Sequence, residues 1–489
     1  MRVLLFHGYM LRGTGSNIYN ANLAPALARL GHEVHLLCQD RQTQLDGVQI
    51  HNPDIGGLLP VYVKDPYEGF EVKAFPELTE AELARYIDAN IEAVRAVAAE
   101  VGGIDLALAN HLVMGPAILA RAGVCPYAVK IHGSALEYTV KPHPRFLPYA
   151  REGLEAASGV LVGSRHTAES LWAALPELED LREKTRLGPP GVDTETFRPL
   201  APSGGGLPSS KDADSQAFSP RVARGEGGRG RTVARPQAPL APGQDPRTER
   251  VVFVGKLIVS KGADLLLAAW PLVRAQHPEA ELTVAGYGEY EQGLRRLLAA
   301  LDGGDLEGAR EVARLGRALE GGEEAALPIL SAFLDDPPAG YVEAARGVAA
   351  SIDFAGRLEH DEVARLLPGM EALVMPSTFP EAFGMVAVEA AACGVLPVSA
   401  DHSGMREVSR QLAAALPAGT GELTSFAVAP GAIEAIAANL NRWLSLSERE
   451  RGAAREALAG TARRLWSWEG VARAVLAASR GELDRLPLA

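Results

Sequence analysis

Residues 373–408, LVMPSTFPEAFGMVAVEAAACGVLPVSADHSGMREV, decide the fold. Residues 373–375 are a short apolar run, the pattern of a buried parallel strand. Residues 376–383 read as a loop with prolines at 376 and 380. From 384 to 393 the residues are small or favour helix, and Gly394 stands where a helix C-terminus favours glycine. A second apolar run, 395–399, follows. Strand, loop, helix, strand is a βαβ unit, whose ligands bind beyond the carboxyl ends of the strands. Glu381 lies in the loop, and Glu389, eight residues on, lies in the helix. Between them the amides of Phe383, Gly384 and Met385 open the helix, where unpaired N–H groups favour anions. Carboxylates accept from hydroxyls, so carboxylates beside an anion site suit a ligand that carries both hydroxyls and phosphates. A nucleotide sugar is such a ligand.

The string PEAFGMVAVEAAACGVLP at 380–397, with its E-x7-E spacing, resembles the signature of glycosyltransferase family 4, retaining enzymes of the GT-B fold. The opening of the chain agrees. Residues 3–6 read as a strand, 7–16 as a loop with Gly8, Gly13 and Gly15, 17–30 as a helix and 32–38 as a second strand. The string GTGSNIYNANLAPALARLGHEV resembles the amino-terminal half of the same family. A dinucleotide fingerprint was the rival, since Asp40 ends the second strand, but Ile18 stands where the third glycine belongs. The resemblance implies an α/β chain of two Rossmann-like doubly wound domains facing across a cleft.

Composition is compatible with this. A chain of 489 residues is too long for one core. It is 47% hydrophobic and 22% charged, as globular proteins are. A net charge of −13 argues against a nucleic-acid partner and against tight binding to anionic lipid, leaving peripheral membrane contact to a local basic patch. Cys38, Cys125 and Cys393 are far apart in apolar contexts and read as reduced thiols of a cytoplasmic protein. The apolar run after Met1 stops at His7-Gly8, too short for a signal peptide, and no window has transmembrane character.

Along the chain, residues 1–195 form the expected amino-terminal domain. Strands at 105–109, 127–131 and 159–162 each end in a polar residue: Asn110-His111, His132 and Ser164. Residues 56–75, with Tyr62, Tyr67, Glu68 and Phe70, read as an ordered loop, a candidate part of the acceptor pocket. In 201–249, 20 of 49 residues are Gly, Pro or Ser and Phe218 is the lone aromatic. That composition predicts a disordered interdomain insertion. Asp212-Ala213-Asp214 within it is read as a chance D-x-D. The donor-binding domain is expected over 250–466, with a helical insertion at about 301–349, and a helix at about 467–480 is expected to cross back.

The resemblance also implies site residues. His132, in K-I-H-G, would position the donor sugar; Gly13 and Gly15 would lie over the donor diphosphate. Glu381 would contact sugar hydroxyls, Glu389 the ribose diol, and Arg357 the base; Phe383, Gly384 and Met385 would offer amides. Lys256 and Lys261 are the cations for the departing diphosphate, and preorganised charge there is usually the largest catalytic contribution. The family usually has arginine at the first of these, so lysine keeps the charge without the bidentate fork. His7 and His111 are further strand-end candidates, and Tyr138, Lys141 and Arg145 candidates for an acceptor phosphate. There is no metal motif, so a metal-independent hexosyltransferase without cofactor is expected. The substrates are a nucleotide sugar and an unidentified hydroxyl acceptor. An epimerase or phosphorylase on the same fold, or an inactive sugar-nucleotide binder, are the alternatives. Base, sugar, acceptor and oligomeric state are not legible.

Overall fold

The computed structural model describes residues 1–13, 15–62, 67, 69–200 and 249–489. Thr14, Glu68 and the segment 201–248, with its D-x-D string, lie outside the described residues. The chain divides into two compact units. One comprises Met1–Asp193, Glu381–Met385 and Leu465–Ala489; the other comprises Thr194–Pro380 and Val386–Arg464. Two boundaries differ from the expected 1–195 and 250–466. Five residues of the PEAFG loop group with the first unit. Residues on both sides of 201–248 group with the second.

The first unit is built on nine strands: β1 (Arg2–Phe6), β2 (Glu33–Leu37), β3 (Val48–His51), β4 (Leu58–Val61), β5 (Glu71–Ala74), β6 (Leu106–Asn110), β7 (Tyr127–Lys130), β8 (Gly159–Val162) and β9 (Thr185–Leu187). Seven form one sheet in the order β3-β2-β1-β6-β7-β8-β9, every pair parallel. β6, β7 and β8 are buried along their whole length, as strands covered by helices on both faces must be. β4 and β5 pair parallel in a small separate sheet, where the sequence reading expected a loop over 56–75. The apolar run at 58–61 supplies that pairing, and Pro60 is tolerated because a two-stranded sheet has only edges. The helix Gly15–Arg29 starts two residues before the expected 17–30. The helix Glu80–Glu100 is capped by Thr79 and Glu82, which satisfy each other's backbone amides. The helix Trp468–Ser479 also belongs to this unit: Trp468 meets Tyr19 edge-on at 5.5 Å, and the Ser479 hydroxyl donates to Ala107 O at 2.9 Å.

The second unit has six strands: β10 (Arg250–Val254), β11 (Glu281–Ala285), β12 (Ile352–Gly356), β13 (Ala372–Met375), β14 (Leu396–Ala400) and β15 (Ser425–Phe426). They form one parallel sheet in the order β12-β11-β10-β13-β14-β15. The helix between β13 and β14 is Met385–Ala392, closed by Gly394 at φ +76°. The region around 301–349 forms the helices Leu306–Leu315, Pro328–Asp335 and Tyr341–Ala345 between β11 and β12. Tyr341 anchors the last of these by donating to Ala268 O at 2.8 Å. Each sheet is thus doubly wound, with its order reversing once: between β1 and β6, and between β10 and β13. Ligands of such sheets bind at the carboxyl ends of those strands.

Candidate functional site

In the first unit the register levels Phe6 with Ala109 across the reversal, and Asn110 with Lys130. His7, Asn110 and His132 therefore leave the sheet side by side. Their side chains form one directed chain of hydrogen bonds. His7 Nε2 lies 3.0 Å from both Met10 O and Asn17 Oδ1, two acceptors, so it carries the proton and Nδ1 accepts from Asn20 Nδ2 at 3.1 Å. Asn110 Nδ2 donates to Asn20 Oδ1 at 2.8 Å and to Phe6 O at 3.1 Å. That leaves Asn110 Oδ1 to accept from His132 Nε2 at 2.8 Å. Asn17 Nδ2 closes the chain on Arg12 O at 2.6 Å, in the glycine loop. The sequence reading missed Asn17 and Asn20, and named Asn110 only as a polar strand end. The signal was there: Asn17 and Asn20 share a helix face with the buried Leu23, Ala24 and Leu27, and buried amides require partners.

The rings around this chain are neutral. Burial lowers His7 to about 4, against the pull of its bonds to Asn17 and Met10. Burial, with His111, Lys130 and His7 nearby, holds His132 well below the ordinary histidine value. Lys130 lies buried beneath, lowered by burial to about 7, with Nζ donating to Gly188 O at 2.5 Å. His132 also packs on Tyr19 at 5.0 Å and His111 at 4.9 Å. His111 has φ +68°, a costly conformation outside glycine, and both its ring nitrogens are buried without a hydrogen-bond partner. Gly13 takes φ +95°, and a Cβ on Gly15 would sit 3.5 Å from Met385 Sδ, grouped with this unit. Phe383 is buried edge-on to Trp466, with centroids 6.0 Å apart, and Glu381 is half-buried in the same loop.

The phosphate candidates of this unit fare differently. Lys141 is held by Glu137 at 2.7 Å and by Ser170 Oγ at 3.1 Å. Arg145 donates to Phe75 O and Leu78 O at 2.9 and 2.8 Å, which ties the 75–78 turn rather than offering a fork to solvent. Tyr138 is exposed. Tyr62 donates to Val113 O and stacks on Phe75, so it builds the core beside His111.

In the second unit the edge is charged. The loop from β10 to the helix Ala263–Arg274 carries Lys256 and Lys261, both half-buried. It is held against the loop after β13: Thr378 N donates to Ser260 O at 2.9 Å. Gly262, at φ +67°, approaches so closely that a Cβ would stand 2.0 Å from Pro376 O. Asp264, buried in the first turn of the helix, is raised by burial to about 7. Glu389 is 6% exposed, and its Oε1 takes a hydrogen bond from His360 Nε2 at 2.9 Å. The buried Phe197 ring lies 4.9 Å from that imidazole. Arg357 stacks over Tyr287 at 5.1 Å and pairs with Glu359 at 3.1 Å. At the opening of the helix Met385–Ala392, Gly384 has φ +99°. His360, Phe197, Tyr287 and Asp264 were not singled out from sequence. Cys38, Cys125 and Cys393 are free thiols, each pushed up to about 12 by burial. Among the described residues no group of three or more His, Cys, Asp and Glu is placed to hold a metal, and no helix is long and apolar enough to cross a membrane.

Two doubly wound parallel sheets are the architecture of the GT-B fold, and the family comparisons identify the chain as a glycosyltransferase. The model of Glycosyltransferase Family 4 matches residues 13–196, and models of Glycosyl transferases group 1 match 248–332 and 342–459. The chain belongs with the family 4 glycosyltransferases. It is 26% identical over 405 residues to D-inositol 3-phosphate glycosyltransferase of Jonesia denitrificans, covering 80% of this chain and 76% of that one. Among solved structures it resembles the catalytic domain of Arabidopsis thaliana starch synthase IV bound to ADP and acarbose, with TM-score 0.60, 12% identity and coverage of 98% and 99%. It also resembles Anabaena HepE in complex with UDP and glucose, with TM-score 0.56, 14% identity and coverage of 99% and 100%.

Proposed function

We propose that the chain is a retaining, metal-independent hexosyltransferase that moves a sugar from a nucleoside diphosphate to a hydroxyl acceptor. The observation that carries this reading is the charged edge at the β10–β13 reversal. There Lys256 precedes and Lys261 ends one turn of chain after β10, beside β13, and Glu389 is buried in the helix that follows β13. As the glycosidic bond breaks, negative charge collects on the departing phosphate. The two ammonium groups are fixed cations for it, the part a metal plays elsewhere. Glu389 accepts from the ribose diol through Oε2 while His360 holds Oε1, and Arg357 on Tyr287 faces the base. In the first unit His132 donates from Nε2 to Asn110, so Nδ1 keeps its lone pair for a hydroxyl donor. Two solved relatives in fold are titled as complexes with ADP or with UDP and glucose, which supports a nucleotide donor.

The test is a thermal-shift series with UDP, ADP and GDP, followed by transfer assays with the matching sugar nucleotides. Inositol 3-phosphate and unphosphorylated polyols serve as first acceptors, and the product anomer is read by NMR. At least one nucleoside diphosphate raises the melting temperature, since a ligand of the folded state stabilises it. Transfer persists in chelator and the product keeps the donor's anomeric configuration. Activity that vanishes in chelator and returns with magnesium or manganese, or an inverted product, contradicts the proposal.

A further inference from the structure

The region around 301–349 has no role in the proposed function, yet one of its side chains reaches the lysine loop. Its helix Leu306–Leu315 ends at Gly316, whose φ of +45° and ψ of −112° only glycine adopts readily. A Cβ there would lie 2.0 Å from Ala325 O. The short turn Arg317–Glu320 follows, closed by Gly321 at φ +84°. This turn is tied down: Arg317 N donates to Ala325 O at 3.2 Å, and Leu319 lies against Gly293, where a Cβ would be 3.3 Å from its own. So aimed, Glu320 Oε2 accepts from Val259 N at 2.7 Å. The Glu320 side chain is only 13% exposed, and Arg317 lies 3.3 Å from its other oxygen.

Val259 is the first residue of the turn Val259–Lys261, and Ile258, at the capping position, offers no side-chain cap. A turn start has unpaired amides that need an acceptor. Here the acceptor comes from 61 residues away in sequence. The same turn is held on its other side by Thr378 N, which donates to Ser260 O. A loop that carries two catalytic cations is thereby pinned from the loop after β13 and from the inserted turn. Fixed cations accelerate reactions because they need no reorganisation when charge develops.

We propose that Glu320 is a positioning residue: the inserted turn caps Val259 and fixes the loop that presents Lys256 and Lys261 to the donor diphosphate. This rests on the reading of that loop as the phosphate site. Glu320 touches no substrate in this scheme. What matters is an acceptor oxygen at 2.7 Å from the amide, so a neutral amide side chain serves as well as a carboxylate.

The experiment uses the full chain and four variants: Glu320→Ala, Glu320→Gln, Lys261→Ala and Arg317→Ala. Turnover, donor KM, melting temperature and hydrogen exchange of the peptide covering 254–262 are measured. Glu320→Ala lowers turnover about tenfold or more, as small misplacements of catalytic groups do. Its loop amides exchange faster, while the melting temperature stays within a few degrees. Glu320→Gln restores most of both. Arg317→Ala changes turnover by less than about threefold, because an exposed ion pair contributes little. Full turnover in Glu320→Ala overturns the proposal, and higher turnover overturns it as well, because the carboxylate would then be competing with the phosphate. Loss in Glu320→Gln equal to that in Glu320→Ala also overturns it, since the charge and not the cap would be responsible. If Lys261→Ala retains full turnover, the reading of the loop fails, and the exchange data alone still decide whether Glu320 caps it.

Discussion

The two units share one plan and furnish it in opposite ways. Both are parallel sheets whose order reverses once, and both carry polar residues at or beyond the carboxyl ends of their strands. In the first unit these residues are buried and their charge is disfavoured. His7 is lowered to about 4, His132 lies well below its ordinary value, and Lys130 is lowered to about 7. In the second they are half-buried lysines, a stacked arginine and a glutamate whose partner is a histidine. Burial penalises charge, so a buried edge can only orient hydroxyls through amides and lone pairs. A partly solvated edge keeps its charges and can stabilise phosphate. On the proposed reading, the same topology yields a site for neutral groups in one unit and for anions in the other.

The largest effects concern the buried group in each unit whose charge is disfavoured, and their signs are opposite. In the second unit Asp264 titrates near 7 when folded and near 3.8 when unfolded. Its neutral form is native, so the stability it contributes is complete below about pH 4 and falls as pH rises to 7. Asp264→Asn mimics the neutral acid. It should match the wild type near pH 4 and exceed it by up to about 4 kcal/mol at pH 7 and above, at about 1.4 kcal/mol per pH unit. In the first unit Lys130 titrates near 7 folded and near 10.5 unfolded. Stability there is complete above about 10.5 and falls as pH drops to 7. The gap between Lys130→Met and the wild type should therefore move against the variant by up to about 4 kcal/mol from pH 7 to 10.5. Thermal melts across pH 4–10 check both signs. Parallel pH curves for wild type and either variant would break the contrast.

Next in size are the lysines. Lys256→Ala and Lys261→Ala should each lower turnover about a hundredfold, the usual cost of one charge-stabilising donor. A loss confined to donor KM would show that they bind the ground state and the transition state equally.

A smaller and finer effect separates the glutamates. The ribose does not change during transfer, so Glu389→Ala should raise donor KM about tenfold and weaken bare nucleoside diphosphate equally. Glu381 is assigned to the sugar, where positive charge grows, so Glu381→Ala should lower turnover and leave bare nucleoside diphosphate affinity unchanged. His360→Ala should follow Glu389→Ala at about a third of its size, since it frees one oxygen of that carboxylate. Calorimetric titration beside steady-state kinetics decides. Equal weakening of the bare nucleotide by Glu381→Ala and Glu389→Ala would falsify the division of roles.

How much of this was legible depended on whether the signal was local. Glycine loops, apolar strand runs and the polar residue after each strand lie within a few positions of one another, and they singled out His132, Lys256, Glu381 and Glu389 as candidates. The partners of those residues did not share that advantage. Asn110 meets Asn20 across 90 residues, His360 meets Glu389 across 29, and Glu320 meets Val259 across 61. Nothing in a helix start such as His360-Asp361-Glu362 marks its first residue as a carboxylate's partner. The small β4–β5 sheet was missed because four-residue runs with a proline read equally well as loop. The partners of Arg145 were hidden for a related reason: a basic loop in sequence becomes a backbone clamp once the 75–78 carbonyls arrive from elsewhere.

The smallest effect is expected from the largest change. Residues 201–249 are rich in Gly, Pro and Ser with Phe218 as the lone aromatic. The chain on either side is firmly placed. Phe197 is fully buried against His360, and Arg250 opens β10 in register with Glu281. Both described flanks group with the second unit, and the chain passes to that unit from the first at Asp193–Thr194. Loop-closure entropy changes by only about 0.6 kcal/mol per doubling of length. Replacing 201–249 by a flexible Gly/Ser linker of about fifteen residues should therefore leave turnover within about threefold and the melting temperature nearly unchanged. Both edges, neutral and charged, are then independent of the segment. A tenfold fall in turnover with the melting temperature intact would mean that the segment acts on a substrate. Loss of soluble protein would mean that Phe197, and through it His360 and Glu389, depends on the segment for its placement.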